Sequence, residues 1–359
     1  MFGASRLLPA VPILLCYMTL AAGLDKDQRP LVTVLVWDKV AGYLNWGNDW
    51  FKRAAAEKCS TRCVLKDDHA ALPDADVIMF HAPTHTGLLP PRPRQRSVVY
   101  ALLSMEQPRY ARYLSDKAFL AKNFDLLATY SQQDLYPDTN IPNLPLSYFP
   151  LNILTPSAVL QPSRSFGSKT GYGTGVSVAI FVSNCKAAGA AQRHKYVEEL
   201  AALIPIHSYG KCHKNRDEPE MAPDPGWPEV AQRRARKVKV LSHYKFYLAF
   251  ENLQVDDYVS EKVYEGLFSG AVPVYRGAAQ VSRFMPGNDS FIDANSLSPT
   301  ELSRLLLRLK DDEAEYSRYL AFKRRPLPEG FVDVAMKSYT HPNVLCRLCE
   351  FSVTFKKGA

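Results

Sequence analysis

HYKFYLAFENLQVDDYVSEKVYEGLFSGAVPVYRG, residues 243–277, is the most informative run of this chain. Phe246–Phe250 is a short apolar run that reads as a strand, Val259–Phe268 as a helix closed by Gly270, and Ala271–Tyr275 as a second strand. Glu261 and Lys262 fall in the first turn of that helix. A lysine there opposes the helix dipole, at a cost of a few tenths to about 1 kcal/mol. A bound anion would reverse the sign, because the free N–H groups and the lysine would share it. The ordinary explanation of an isolated Glu/Lys pair is an exposed turn. It is less attractive here, because the pair lies between a strand and a helix, where α/β proteins place ligands.

The same rhythm extends outward. Val176–Ser183 (VSVAIFVS) reads as a strand, Ala190–Leu203 as a helix and Ile204–Tyr209 as a short strand. Downstream, Pro299–Lys310 is an amphipathic helix with Leu302, Leu305, Leu306 and Leu309 on one stripe. Near the start, Leu31–Trp37, Ala75–His81, Ser97–Ser104 and Phe124–Tyr130 are the near-continuous apolar runs of buried parallel strands. A Pro-rich stretch with Pro142, Pro145, Pro150, Pro156 and Pro162 leads into Ser163–Gly175, rich in Ser and Gly, the best place for an interdomain linker. The expectation is α/β, with two Rossmann-like domains facing each other across a cleft. The domain limits are 25–160, a linker at 161–175, 176–345 and a Cys-x-x-Cys tail at 346–359. No G-x-G-x-x-G fingerprint supports dinucleotide binding.

Arg6 precedes an uncharged run, Leu7–Leu24, close to the about 18 residues at which a membrane span begins to qualify. The run contains Pro9 and Pro12 and ends in Ala21-Ala22-Gly23, so a cleaved signal is the alternative to an uncleaved signal anchor over residues 1–24. Either topology puts residues 25–359 in a lumen. Beyond Cys16 in that run, six cysteines remain: Cys59, Cys63, Cys185, Cys212, Cys346 and Cys349. An even number in an oxidising compartment reads as disulfides. Cys185 and Cys212, both at strand ends of one domain, are expected to pair, and Cys59 and Cys63 to bridge to Cys346 and Cys349. The competing arrangement joins the last four in a structural zinc site. Asn288-Asp289-Ser290 is a glycosylation sequon. The formal charge of +8 suits an anionic partner without choosing among nucleic acid, acidic lipid and a nucleotide diphosphate.

Residues 243–277 resemble the donor-binding signature of the α1,3/4-fucosyltransferases, glycosyltransferase family 10. The matching elements are Tyr244-Lys245-Phe246, Phe250-Glu251-Asn252, Asp257-Tyr258-Val259-Ser260-Glu261-Lys262 and Gly270-Ala271-Val272-Pro273-Val274. Val182-Ser183-Asn184-Cys185, followed by Arg193, Tyr196 and Glu199-Leu200, resembles a second block. Ser104-Met105-Glu106-Gln107-Pro108 resembles the family's Met-Glu-Ser-Pro motif, with Gln107 in place of serine. The ending Cys346-Arg347-Leu348-Cys349 is similar to that of the plant-type members. The resemblance covers roughly residues 31–350 and implies a GT-B architecture and an inverting transfer of fucose from GDP-fucose to a GlcNAc hydroxyl of an N-glycan or glycoprotein.

On the matched positions, the resemblance implies Glu106 as the base for the acceptor hydroxyl. Arg193 and Lys262 would neutralise the departing diphosphate. Glu261 would hold the fucose side and stand next in line as base, and Tyr244, Asn252, Tyr258 and Ser260 would line the donor pocket. It implies no required cofactor, with Mn2+ at most a stimulant. Asp256-Asp257 lacks one residue of the metal-binding Asp-x-Asp pattern of other glycosyltransferases, so no metal site is expected. It further implies a type II protein of the Golgi membrane, with a lumenal catalytic domain. Plant-type members act on the innermost GlcNAc or build Lewis-type linkages on outer arms. The Cys346–Cys349 ending and the Ser242–Phe246 stretch incline to the Lewis-type α1,4 group.

Other features take plainer explanations. Arg233–Lys239 could bind nucleic acid or acidic lipid, but no aromatic residues are interleaved with it, and a solvated helix face is expected. His85, His207 and His213 show no ligand spacing. A catalytically silent glycan-binding relative is the alternative to the enzyme; the signal-like start and the cysteines speak against a nucleic-acid binder.

Overall fold

The computed structural model describes residues 29–38, 59–92, 97–108, 112–133, 135–151, 154–186, 190–222, 229–340 and 343–358. The expected signal anchor at residues 1–24 lies outside the described residues. Among the latter, no helix is long and apolar enough to cross a membrane.

Two parallel sheets organise the chain. The first has the order β2-β1-β3-β4-β5-β6, built from β1 (Leu31–Val36), β2 (Arg62–Lys66), β3 (Val77–His81), β4 (Val99–Ser104), β5 (Leu126–Thr129) and β6 (Asn143–Pro145). The second has the order β11-β10-β9-β7-β8, from β7 (Val178–Phe181), β8 (Ile206–Tyr209), β9 (Phe246–Phe250), β10 (Val272–Arg276) and β11 (Ile292–Asp293). Every residue of β4 and of β9 is buried. Both are interior strands covered on both faces, which is why their sequences are apolar without alternation.

The described helices are α1 (Lys117–Asn123), α2 (Ala190–Ala201), α3 (Glu229–Leu241), α4 (Glu261–Ser269), α5 (Pro299–Asp311), α6 (Glu313–Arg318), α7 (Glu329–Met336) and α8 (Asn343–Gly358). α4 stops at Gly270, which adopts a left-handed φ of 72°. A Cβ there would also approach Ser163 Oγ to 2.3 Å, so glycine answers both demands. α5 opens with a complete capping box between Ser298 and Glu301.

The end of the chain departs from expectation. The described residues 346–358 are not a loose tail: the cysteines lie on α8, which packs back onto β1, β2 and β3 of the first sheet. Cys59–Cys346 and Cys63–Cys349 fasten it there, and Cys185–Cys212 closes a loop of the second domain. The Cα separations of 5.1, 6.2 and 5.6 Å are ordinary for disulfides. The four cysteines of the alternative zinc site are thus consumed by bridges. The expected linker is packed as well. Lys169 is buried and donates to Gly270 O and to Tyr316 Oη, so the segment is tied to the end of α4.

The largest apolar cluster contains side chains from both sheets, from Val34 and Met79 to Tyr247 and Tyr275. Backbone bonds reinforce the join, with Ser147 N–H donating to Lys337 O and Tyr339 N–H to Ser147 O, both at 3.0 Å. The cleft between the carboxyl ends of the two sheets is therefore a built feature.

Candidate functional site

The cleft encloses a cavity of about 1250 Å³. The first domain contributes His81, Thr84, Met105, Glu106 and Tyr148, from the ends of β3 and β4 and the segment beyond β6. The second contributes the ends of β7 and β9, the first turn of α4 and one face of α3.

Glu106 follows β4 directly. Its N–H donates to Ser104 Oγ at 3.1 Å, and Ser104 Oγ–H returns a bond to Glu106 O at 2.9 Å, so the turn is rigid. Tyr148 donates to the neighbouring Met105 O. Burial pushes the Glu106 carboxyl above its ordinary range, Lys262 pulls it back and Glu261 adds to the rise. Gln107, which stands in the family's serine position, is 1% exposed, and neither of its amide atoms finds a hydrogen-bond partner among the described residues.

Across the cleft, Ser260 holds the N-cap position of α4 but makes no cap bond. Its hydroxyl serves Glu251 instead, at 2.8 Å from each carboxylate oxygen, and its N–H donates to Oε1 at 2.8 Å. Lys262 Nζ reaches Glu251 Oε2 at 3.0 Å and Ser260 Oγ at 2.7 Å. This carboxylate offsets the cost of a lysine in the first helical turn. Sequence reasoning quoted Glu251 only as part of a motif, and its buried side chain is what holds the lysine. Arg193, on α2, is 3% exposed; it donates to Asn252 Oδ1 and, at 2.8 Å, to Asn184 O. Burial pushes Glu261 up, but Lys262, Arg234 and Lys237 together hold it at about 2. Glu106 and Glu261, facing the same cleft, therefore differ in kind: Glu106 takes a proton readily, whereas Glu261 stays charged.

Glu106, Glu261, Arg193, Lys262, Asn252, Tyr258 and Ser260 all line this one cavity. Tyr244 does not. It is fully buried, with its hydroxyl 2.7 Å from His207 Nδ1 and 2.5 Å from Tyr209 Oη, so it braces the sheet instead of lining the pocket. Asn288 is exposed, in the turn beside Asp289.

Two family models match the chain: "Glycosyltransferase family 10 (fucosyltransferase) C-term" over residues 174–357 and "Fucosyltransferase, N-terminal" over residues 29–135. The chain belongs to glycosyltransferase family 10. Among curated family relatives, "Alpha-(1,3)-fucosyltransferase B" of Drosophila melanogaster is 30% identical over 284 residues, 78% of this chain and 60% of that protein. "GDP-fucose protein O-fucosyltransferase 3" of Danio rerio is 32% identical over 237 residues, 66% of this chain and 48% of that protein. The chain thus spans 60% or less of the length of either relative. A solved "alpha1,3-Fucosyltransferase with GDP-fucose" superposes with a TM-score of 0.56 at 14% identity, covering 94% of this chain and 92% of the other, and shows a shared fold.

The basic run of α3 is a correction. Arg233 and Lys239 face solvent, but Arg234 and Lys237 are largely covered, at 10% and 16% side-chain exposure, and both pair with buried Glu265 of α4. Arg233, Arg234, Arg236 and Lys237 all line the cavity of this family 10 protein. The run reads as a solvated face in the sequence because the buried partner Glu265 is invisible in the pattern.

Proposed function

We infer that the protein transfers L-fucose from GDP-fucose to a GlcNAc hydroxyl of an N-glycan, inverting the anomeric carbon, with Glu106 as general base. The observation that carries this reading is the opposition, in one cavity, of Glu106 on the first domain to Lys262 and Glu261 on the first turn of α4. Lys262, held by buried Glu251 and Ser260, and Arg193, itself buried, neutralise charge that develops on the departing diphosphate. The first turn of α4 adds N–H groups that Ser260 leaves uncapped. Glu106 accepts the acceptor hydroxyl's proton as its oxygen attacks C1 of the sugar and the C1–O bond to GDP breaks. Glu261, held ionised, faces the positive charge that builds on the sugar ring. Transfer proceeds in this reading without a required metal, Mn2+ acting at most as a stimulant.

The relative named as a protein O-fucosyltransferase favours a second acceptor class, the hydroxyl of a Ser or Thr side chain. Incubating the purified protein with GDP-fucose and a panel of N-glycans and folded glycoproteins, with and without EDTA, separates the two. Fucose on a glycan supports the first reading and fucose on a peptide hydroxyl the second. GDP-fucose binding without transfer to any acceptor identifies a silent relative. For location, the reading is a signal anchor in the Golgi membrane with the catalytic part in the lumen, in keeping with three disulfides and an exposed sequon.

A further inference from the structure

Glu261 and Glu265 lie one helical turn apart on α4, a spacing that places their side chains side by side. Two carboxylates at that spacing repel, and here both meet largely covered surroundings. The structure resolves the conflict with α3. Lys237 Nζ lies 2.6 Å from Glu265 Oε2 and Arg234 Nε 3.5 Å from Glu265 Oε1. One carboxylate thus holds two cations, and the surplus positive charge sits beside Glu261. Arg234 also hydrogen-bonds Tyr339, whose ring lies 5.6 Å from that of Tyr148, so its position is fixed from the first domain as well.

We propose that Arg234 and Lys237 are positioning residues for the transfer, keeping the Glu261 carboxylate charged at the cleft wall while Glu265 keeps both cations in place. The inference rests on the fucosyl-transfer reading above and adds two residues that the motif resemblance does not mark. Every group facing Glu261 enters its balance. Lys262 on its own helix and Arg234 and Lys237 on α3 favour the charged form. Glu265 and Glu106 oppose it, and Tyr148 and Tyr258 face it as neutral phenols. Without the two α3 cations, only Lys262 and the backbone hydrogen bond that Glu261 accepts would counter burial and the neighbouring carboxylates, and Lys262 is already shared with Glu251.

The pH profile of kcat/KM tests this. In the wild type the acid limb is expected to follow one proton, on Glu106, giving a slope of one in log kcat/KM against pH. In Arg234→Met/Lys237→Met a second carboxylate titrates in the same range, and the slope should approach two. Adding Glu261→Gln should return the limb to one proton. Should the double variant fold poorly, Arg234→Met alone leaves Lys237 on Glu265 and should steepen the limb in part, while Arg234→Lys should restore it. A one-proton limb with the wild-type midpoint in folded Arg234→Met and in the double variant overturns the proposal. Absence of fucose transfer by the wild type would instead overturn the reading on which it rests.

Discussion

The Glu251 carboxylate lies 3.0 Å from Lys262 Nζ with its own side chain wholly out of solvent, and it also takes both hydrogens that Ser260 offers. Glu251→Ala strands all three donors. Removing one partner of a covered ion pair costs about 3 kcal/mol or more, because the other charge is left uncompensated. Chemical denaturation should show that loss, and calorimetry should show weaker GDP binding as Lys262 loses its anchor. Glu251→Gln, which still accepts from Ser260, should cost less on both counts. Wild-type stability in Glu251→Ala would mean that the pair does not hold the lysine.

Arg193 and Lys262 approach the cavity from different helices, so their contributions to nucleotide affinity should be separable. Lys262→Ala and Arg193→Ala should each weaken GDP binding by about tenfold, the range of one charge-assisted hydrogen bond. GMP should be affected less, because it lacks the second phosphate. Unchanged GDP affinity in both variants, with folding intact, would remove the diphosphate from this part of the cleft.

The two bridges to α8 are predicted to be redundant. Each alone closes a span of nearly the whole described chain, since Cys59–Cys346 and Cys63–Cys349 are 287 and 286 residues apart. In the chain-entropy model such a loop contributes about 6 kcal/mol. With one bridge in place the second closes only a short ring, adding about 2 kcal/mol. Single Cys→Ser pairs should therefore lower stability modestly, and removal of both bridges by much more than twice as much. Equal and additive losses would show that the bridges act through local packing.

The interior strands were legible because burial on both faces leaves a nearly continuous apolar run: β1, β3, β4, β5, β7, β9 and β10 all show it. The strands that escaped, β2, β6 and β11, are all sheet edges. β2 buries only alternate residues and β6 buries none fully, so neither offers the doubly covered pattern. α8 was hidden because its cysteines marked it as a tail, and nothing in its sequence says which sheet it covers. The charged residues were legible through motif resemblance, and their partners were not. A buried Glu251 and an exposed glutamate look alike until the fold places Ser260 and Lys262 around one of them. Tyr244 failed for the converse reason: a tyrosine in a donor motif suggests a ligand contact, whereas its hydroxyl is spent on His207 and Tyr209.

Lys169 offers a stability test away from the cleft. Burial first, then Lys323, Lys245 and Arg164, lower its amine to about 7, against an ordinary value of 10.5. Between those values the unfolded chain binds the extra proton, so stability rises with pH across that window. Below about pH 7 both states are protonated and the contribution is flat. Lys169→Met lacks the titration, so thermal melts should show the wild type gaining on the variant from pH 7 to 10 and running parallel below 7. A difference independent of pH would mean that the amine keeps an ordinary affinity for its proton in the fold.

Glu106 carries the sharpest prediction. It sits on a turn locked by Ser104 and Tyr148, with a carboxyl that burial raises above the usual glutamate range, against Lys262. A base must be ionised to work, so kcat/KM should fall as pH drops through this raised value and level off above it. Glu106→Gln keeps the shape and accepts hydrogen bonds but takes no proton. It should bind GDP-fucose with wild-type affinity while kcat falls about 10²-fold or more, the usual worth of a general base. The acid limb should vanish together with the rate, since the group that set it is gone. A variant that keeps both the rate and the limb would move the role to Glu261. That outcome would be hard to reconcile with a carboxylate that three cations hold at about 2.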